Sequence, residues 1–435
     1  MKYFFVLGKN PSLSIAEICA IFPEAQNGKI ASSDIFILET DKLDAEQIIK
    51  RMGGIIKIGI IEKEGDKEEK QIIESIKIMA KPAGTGKFNF GISNYSKHKI
   101  NIKKIGMEVK SWLRARDISC RWVISREPTL SSVVVEQNKM TSGGLEAALL
   151  PAENKLLIGR TLTVQPFKEL SRRDYGRPAR DDYSGMLPPK LAQIMINLAL
   201  PFSTKGGMGN LYSSVKILDP FCGSGTIITE AMLMGYNNLT GGDISQKAIE
   251  DTKKNIEWIK TNYELQTLPN LPAFPAGRQV NNCELLNIDA TKISQKINQN
   301  SIDAIITEPY LGPQRGERNF KNITRELEKL YSAILIEFKK ILKPAGKIVM
   351  VWPIFLNAPL IKPAFPVGRQ EEDKVILKDA GGLIFLNPSL NGLKIISPIP
   401  EKIKKNKNIK LTPRNTIVSG REGQKIWREI IILGE

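Results

Sequence analysis

The chain reads as an α/β protein in which two small layers of mixed strands and helices precede a doubly wound parallel sheet. Three observations carry that reading. Strand-period and helix-period apolar runs alternate in βαβαβ order up to about Gly65. From Leu187 onward, mainly apolar strand-length runs alternate with longer helical patterns, the mark of strands covered on both faces. A last pair of strand-like runs, separated by turn residues, closes the chain.

Taken in order, residues 3–7 and 34–39 are β-like, and residues 13–22 place apolar side chains at helical spacing behind Ser12 or Ser14 as a cap. Residues 45–52 form a second helical pattern and residues 55–61 an apolar, β-branched strand, so a first unit spans 1–65. The second, 66–165, opens with a helix over 68–79 whose stripe is Ile72, Ile73, Ile76 and Met79. A strand over 88–92, a basic helix over 104–117, and strand-like runs at 120–125 and 131–136 follow. Residues 145–150 and 156–164 flank Pro151-Ala152-Glu153-Asn154, which is turn chemistry for a hairpin. Residues 166–186 then change character. Lys168, Arg172, Arg173, Arg177 and Arg180 stand among Asp, Gly and Pro, as expected of a basic linker first and a nucleic-acid contact second.

The third unit, 187–435, begins with an apolar helix over 191–200. Strands are predicted at 215–218, 239–242, 284–288, 302–307 and 347–351, with helices at 226–234, 246–263 and 323–342 between them. The tail, 415–419 and 425–433 around Gly420-Arg421-Glu422-Gly423, predicts an antiparallel hairpin. Two near-identical octapeptides interrupt the pattern, Pro272-Ala273-Phe274-Pro275-Ala276-Gly277-Arg278-Gln279 and Pro363-Ala364-Phe365-Pro366-Val367-Gly368-Arg369-Gln370. Their Pro and Gly content bars a helix or central strand, so they are expected to be tolerated surface insertions.

Composition narrows the chemistry. No run of about 18 apolar residues occurs, so no membrane span is expected. The N-terminal Met1-Lys2-Tyr3-Phe4-Phe5-Val6-Leu7 is too short for a secretory signal, which makes a cytoplasmic protein the expectation. The 4 cysteines, Cys19, Cys120, Cys222 and Cys283, are scattered without a C-x-x-C pair. The single histidine is His98. Thiolate zinc sites, imidazole metal sites and histidine-assisted nucleophiles are therefore not expected, and no metal is assigned. Lys and Arg number 63 against 46 Asp and Glu, a formal charge of +17. Such a balance suits a polyanionic partner, and equally a merely solvated surface.

The chemistry concentrates at strand ends. Asp219-Pro220-Phe221-Cys222-Gly223-Ser224-Gly225-Thr226 follows the first strand of the third unit, where ligands of doubly wound sheets bind. Gly223 and Gly225 permit a tight turn and close approach of a ligand, and Thr226 opens a helix whose amides favour a carboxylate. Ile228 occupies the place of the third glycine of a dinucleotide fingerprint, and no G-K-[ST] follows. The second strand ends at Asp243-Ile244, where a carboxylate can accept from both hydroxyls of a ribose; the third ends at Asp289-Ala290, where one can accept from an adenine amino group. The fourth ends at Glu308-Pro309-Tyr310. A carboxylate and an adjoining carbonyl can accept both hydrogens of an exocyclic amine, and the tyrosine can stack on the base.

With these residues the chain resembles the THUMP-containing tRNA guanine-N2 methyltransferases that act on guanosine 10 of tRNA. The resemblance runs from Leu7-Gly8-Lys9-Asn10-Pro11 through Arg173-Asp174-Tyr175-Gly176-Arg177-Pro178 and Leu187-Pro188-Pro189-Lys190 to Trp427-Arg428-Glu429. It implies a ferredoxin-like unit over 1–65, a THUMP RNA-binding module over 66–165, and a Rossmann-fold class I methyltransferase domain using S-adenosylmethionine over 187–435. It further implies one or two methyl transfers to the same nitrogen. The cofactor would be lined by Asp219, Pro220, Phe221, Cys222, Gly223, Gly225, Thr226, Asp243, Ile244, Asp289 and Ala290, with Glu308, Pro309 and Tyr310 catalytic. Arg172, Arg173, Arg177, Arg180 and Lys190 are the expected RNA contacts of a monomeric enzyme whose partner is tRNA. The chain departs from the family pattern, Asp followed by two prolines and Tyr, by having Glu308 and a single Pro309. Methylation of a ribosomal RNA guanine or an adenine amine, and an inactive RNA-binding protein, are the alternatives. Intact Asp219, Gly223, Gly225 and Asp243 argue against the last.

Overall fold

A computed structural model describes residues 1–82, 86–153, 155–181, 185–200, 214–263, 282–313, 320–356, 383–420 and 424–435. Both octapeptides, and residues 421–423 of the expected C-terminal turn, lie outside the described residues. The chain divides into two compact units, 1–170 with 402–408, and 171–401 with 409–435.

The first unit is built on one sheet of eight strands. Strands β1 (Lys2–Leu7), β2 (Lys29–Ile30), β3 (Ile35–Glu39), β4 (Ile55–Gly65), β5 (Phe88–Asn94), β6 (Cys120–Val123), β7 (Leu145–Pro151) and β8 (Leu156–Val164) are ordered β2-β3-β1-β4-β8-β7-β5-β6. Helices α1 (Pro11–Ile21), α2 (Ala45–Arg51), α3 (Glu69–Met79), α4 (Ile102–Arg114) and α5 (Ser132–Gln137) accompany them. The boundary expected near Gly65 separates two sets of elements but not two sheets, because β4 runs antiparallel to β8 from Lys57↔Val164 to Gly65↔Leu156. The expected hairpin is β7 with β8.

The N-terminal signature has a structural meaning. The Asn10 side chain accepts the Leu13 N–H at 3.2 Å and Pro11 occupies the first helical position, where its missing N–H is harmless. The buried Glu17 carboxylate of α1 then accepts both Gly53 N–H (2.9 Å) and Gly54 N–H (2.8 Å), which pins the helix to the start of β4. A second buried polar group sits inside the sheet. Lys57 of β4 donates to Glu146 of β7 at 2.5 Å and to the Leu130 carbonyl at 2.7 Å. Ser93 and Thr161 donate to the same carboxylate at 2.5 and 2.6 Å, so β4, β5, β7 and β8 meet at one ion pair. Burial pulls the Lys57 ammonium below its usual range, opposed by Glu146.

Residues 131–136, expected as a strand, form the helix α5 instead. Ser131 caps it by accepting the Val134 N–H at 3.3 Å, and of the apolar run Val133-Val134-Val135 only Val135 is buried. The cap and the packing of that one side chain override the β preference of three successive valines.

The second unit begins with α6 (Phe167–Tyr175) and α7 (Pro189–Ala199). Helix α6 lies within the segment expected to be a linker, 166–186, and starts in the first unit. Parallel strands β9 (Lys216–Asp219), β10 (Asn238–Asp243), β11 (Asn282–Asn287), β12 (Ile302–Thr307) and β13 (Leu342–Leu356) alternate with α8 (Thr226–Leu233), α9 (Gln246–Asn262) and α10 (Phe320–Ile341). Short strands β14 (Leu383–Phe385), β15 (Lys394–Ile395) and β16 (Ile417–Ser419) and the final strand β17 (Ile426–Gly434) complete it, whereas helix α11 (Glu401–Lys404) falls, from Lys402 on, in the first unit. The order β11-β10-β9-β12-β13-β17-β15 makes a doubly wound sheet, with β17 antiparallel to β13 and to β16, the predicted closing hairpin. Strand order reverses between β9 and β12, so the crevice at their carboxyl ends is the switch point where such sheets take ligands. No helix among the described residues is long and apolar enough to cross a membrane.

Candidate active site at the switch point

The turn between β9 and α8 is shaped by two left-handed glycines, Gly223 (φ 54°) and Gly225 (φ 82°). A Cβ on Gly225 would come within 2.8 Å of the Thr252 methyl group, whereas one on Gly223 would meet nothing within 4 Å. One glycine is thus required by packing and the other faces open space. Helix α9 braces the turn from behind. Thr252 donates to the Gly223 carbonyl at 2.8 Å and Asn255 to the Ser224 carbonyl at 2.7 Å. Neither residue stands out in the sequence. The available signal is a pair of polar positions on the buried, Ile256 and Ile259 side of an amphipathic helix.

Asp219, Pro220, Cys222 and Thr226, expected to line the cofactor, are buried, while Phe221 is half-buried. Asp219 lies beneath the turn, where it accepts from Thr307 Oγ1 at 2.7 Å and the Phe221 N–H at 3.3 Å. Its carboxyl shapes the turn from inside and is only 2% exposed. Burial pushes it up to about 7, opposed by its two hydrogen bonds and reinforced by the charges of Asp243 and Glu308.

Asp243 sits at the end of β10, half-buried, and each oxygen accepts one backbone amide: Gly223 N–H to Oδ2 at 3.0 Å and Ser245 N–H to Oδ1 at 2.9 Å. A carboxylate offers about four acceptor sites, so an oriented Asp243 retains capacity for two hydroxyls. Ile244 beside it is 72% exposed, an apolar shelf at the mouth of the crevice. Asp289, at the end of β11, caps the 3₁₀ turn Ala290–Gln295, with Oδ1 taking both Thr291 bonds (2.9 and 2.8 Å), and Ala290 is buried. Asn287 ties β11 to β10 by donating to the Asp243 and Ile244 carbonyls at 3.0 and 2.9 Å.

Across the switch point β12 delivers Glu308, Pro309 and Tyr310. Tyr310 is 58% exposed, its ring free of the core. Its carbonyl accepts the hydroxyl of buried Tyr331 on α10 at 3.0 Å, which anchors the backbone of the loop. The Glu308 carboxylate is held by a forked pair with Arg428 of β17, Nε to Oε1 at 2.5 Å and Nη2 to Oε2 at 3.2 Å. In sequence Arg428 is visible only as part of Trp427-Arg428-Glu429, and the pairing spans 120 residues.

Two of the expected RNA contacts are corrected by the structure. Arg173 and Arg177 point inward. Arg173 forks onto buried Glu230 of α8 at 2.6 and 3.2 Å, and Gln193 of α7 joins at 3.0 Å. Arg177 donates to Thr226 Oγ1 at 2.6 Å, at the first residue of α8. A guanidinium buried against an apolar helix needs such partners. Glu230, the one charged residue of α8, is the available signal. Arg172 and Lys190 are exposed and Arg180 half-buried; Arg172 lies over the Trp258 and Tyr263 rings at 5.6 and 5.7 Å. Among the described residues no group of acidic, cysteine or histidine side chains has the arrangement of a metal site.

Residues 177–354 match the family described as UPF0020: RMKL-like, methyltransferase domain. The tRNA (guanine(10)-N2)-dimethyltransferase of Methanothermobacter thermautotrophicus is 30% identical over 175 residues, 40% of this chain and 41% of that protein. The protein of the same name from Pyrococcus abyssi is 25% identical over 349 residues, 77% of this chain and 86% of that one. The first alignment therefore spans less than half of the relative, and the second most of it. Among solved structures, TrmN from Thermus thermophilus aligns over 100% of both chains at 15% identity with a TM-score of 0.49.

Proposed function

On the premise that the chain belongs to the tRNA guanine-N2 methyltransferase family, we propose that it transfers methyl groups to the exocyclic amine of a guanine in tRNA, guanosine 10 by resemblance. The observation that carries this is the placement of two half-sites on either side of one switch point. Gly223, Gly225 and the oriented Asp243 lie on one side, and Glu308-Pro309-Tyr310 on the other. The open space over Gly223 and the two remaining acceptor sites of Asp243 fit the amino-acid and ribose parts of S-adenosylmethionine. That cofactor, when bound, supplies an electrophilic sulfonium methyl.

The protein's own part is positioning. The N2 amine of guanine is a poor nucleophile because its lone pair is delocalised into the ring. Glu308 and the Pro309 carbonyl accept its two hydrogens and draw the nitrogen lone pair towards the cofactor crevice, while Tyr310 stacks on the base. Positive charge grows on nitrogen as the new bond forms, and the carboxylate is preorganised to stabilise it. No strong base is needed beforehand, since the nitrogen becomes acidic only as it gains the methyl. The bond to the cofactor's sulfur would break to leave a neutral thioether, and the proton then lost from nitrogen would pass to Glu308 and on to water.

Separate incubations of bulk tRNA and of ribosomal RNA with labelled cofactor, each followed by nucleoside mass spectrometry, test the reading. It expects N2-methylguanosine, or its dimethyl form, in tRNA. Label only in ribosomal RNA or only in adenosine would replace the acceptor. No label in any RNA would remove the activity.

A further inference from the structure

Glu308 does not stand alone at the end of β12. The start of β17 lies beside the carboxyl end of β13, and Arg428, in register with Pro353, reaches over that strand to Glu308. Both side chains are largely shielded from water, 17% and 14% exposed, so the pair is neither a solvated surface bridge nor a fully buried one. The fork takes one site on each oxygen and fixes the carboxylate plane, yet leaves further acceptor sites open. Strand alternation keeps Arg428 to this task. Its neighbours Trp427 and Glu429 are buried on the opposite side of β17, where Glu429 pairs with Arg414.

We propose that Arg428 is a positioning residue for methyl transfer: it holds Glu308 in the one orientation in which the carboxylate can accept from the target amine. A glutamate has one more rotatable bond than the aspartate of the family pattern, so unrestrained it would sample several orientations. The guanidinium removes that freedom and partly offsets the negative charge that Glu308 places near Asp219 and Tyr331. Arg428 therefore acts through Glu308 and touches neither cofactor nor base. The inference rests on Glu308 being the acceptor.

The test is single-turnover methylation of tRNA by the full-length chain, with Arg428→Met and Arg428→Lys alone and each combined with Glu308→Gln. Arg428→Met should slow the chemical step by about tenfold or more, with S-adenosylmethionine and tRNA dissociation constants within about twofold of the parent. Arg428→Lys, which keeps the charge but not the fork, should recover part of the rate. In the Glu308→Gln background Arg428→Met should change the rate by less than about twofold, because the group it acts through is already altered. A parental rate in Arg428→Met, or an undiminished loss in the Glu308→Gln background, overturns the role of Arg428. If Arg428→Met fails to fold, a parental rate in the folded Arg428→Lys variant does the same. A parental rate for Glu308→Ala, which leaves no acceptor, sinks the acceptor reading itself, a distinct result from failure of the arginine alone.

Discussion

At the scale of single residues the switch point separates groups that shape the site from groups that face it. Asp219 belongs to the first kind. Its folded-state pKa of about 7 lies above its ordinary value of 3.8, so folding favours the protonated form. The stabilisation is complete below about pH 4 and is lost as pH rises through 7, by at most about 4 kcal/mol. Asp219→Asn, which keeps the acceptor for Thr307, should raise the melting temperature at pH 8 and leave it unchanged at pH 4. Equal shifts at both pH values would show that Asp219 does not titrate in this range. Asp243 belongs to the second kind. Asp243→Ala should weaken S-adenosylmethionine binding by about 1.5–3 kcal/mol for each ribose hydrogen bond it removes, read by calorimetry. Unchanged affinity would place the ribose elsewhere. Glu308→Ala should lower the single-turnover rate about a hundredfold with cofactor affinity kept, whereas Tyr310→Ala should instead weaken base capture by about 1–3 kcal/mol. A parental rate for the first would move the reaction away from this strand end.

At the scale of elements, polar side chains decide which strands and helices meet. The Lys57–Glu146 pair joins two residues 89 apart in the chain, on β4 and β7, at the centre of a sheet. Lys57→Met should cost about 3–5 kcal/mol, because it leaves Glu146 buried without its cation. The double variant Lys57→Met, Glu146→Gln retains an acceptor for Ser93 and Thr161 and should recover more than half of that loss. Chemical denaturation measures both. If the double variant were as unstable as the single one, the cost would arise from packing around residue 57. In the second unit, Arg173 with Glu230 and Arg177 with Thr226 do the corresponding work, tying the segment before α7 to the helix that opens at the glycine turn.

At the scale of the whole chain, the net charge of +17 bears on how a polyanion would be held. Arg173 and Arg177, expected to touch RNA, are buried, so the electrostatic contact must be carried by other cations. Full-length affinity for tRNA should still fall by about tenfold or more between roughly 50 and 200 mM salt, since phosphate contacts release counterions. Filter binding across that range checks it. A flat response would mean that tRNA is held without the basic surface.

Sequence alone determined the features set by local period and local chemistry. The parallel strands and helices of the second unit, the glycine turn, the successive strand-end carboxylates and the Glu308-Pro309-Tyr310 end all follow from spacing of about 2 or 3.6 residues and from glycine's backbone freedom. Tertiary structure decided what depends on partners distant in sequence. The single sheet across Gly65, the inward turn of Arg173 and Arg177, and the reach of Arg428 to Glu308 each involve neighbours far along the chain, and helix α5 replaces a strand because one valine finds a buried place. A charged side chain looks the same in sequence whether it faces water or a buried carboxylate. Only the fold supplies the desolvation that makes a partner obligatory, and that is the physical reason these pairings were not legible.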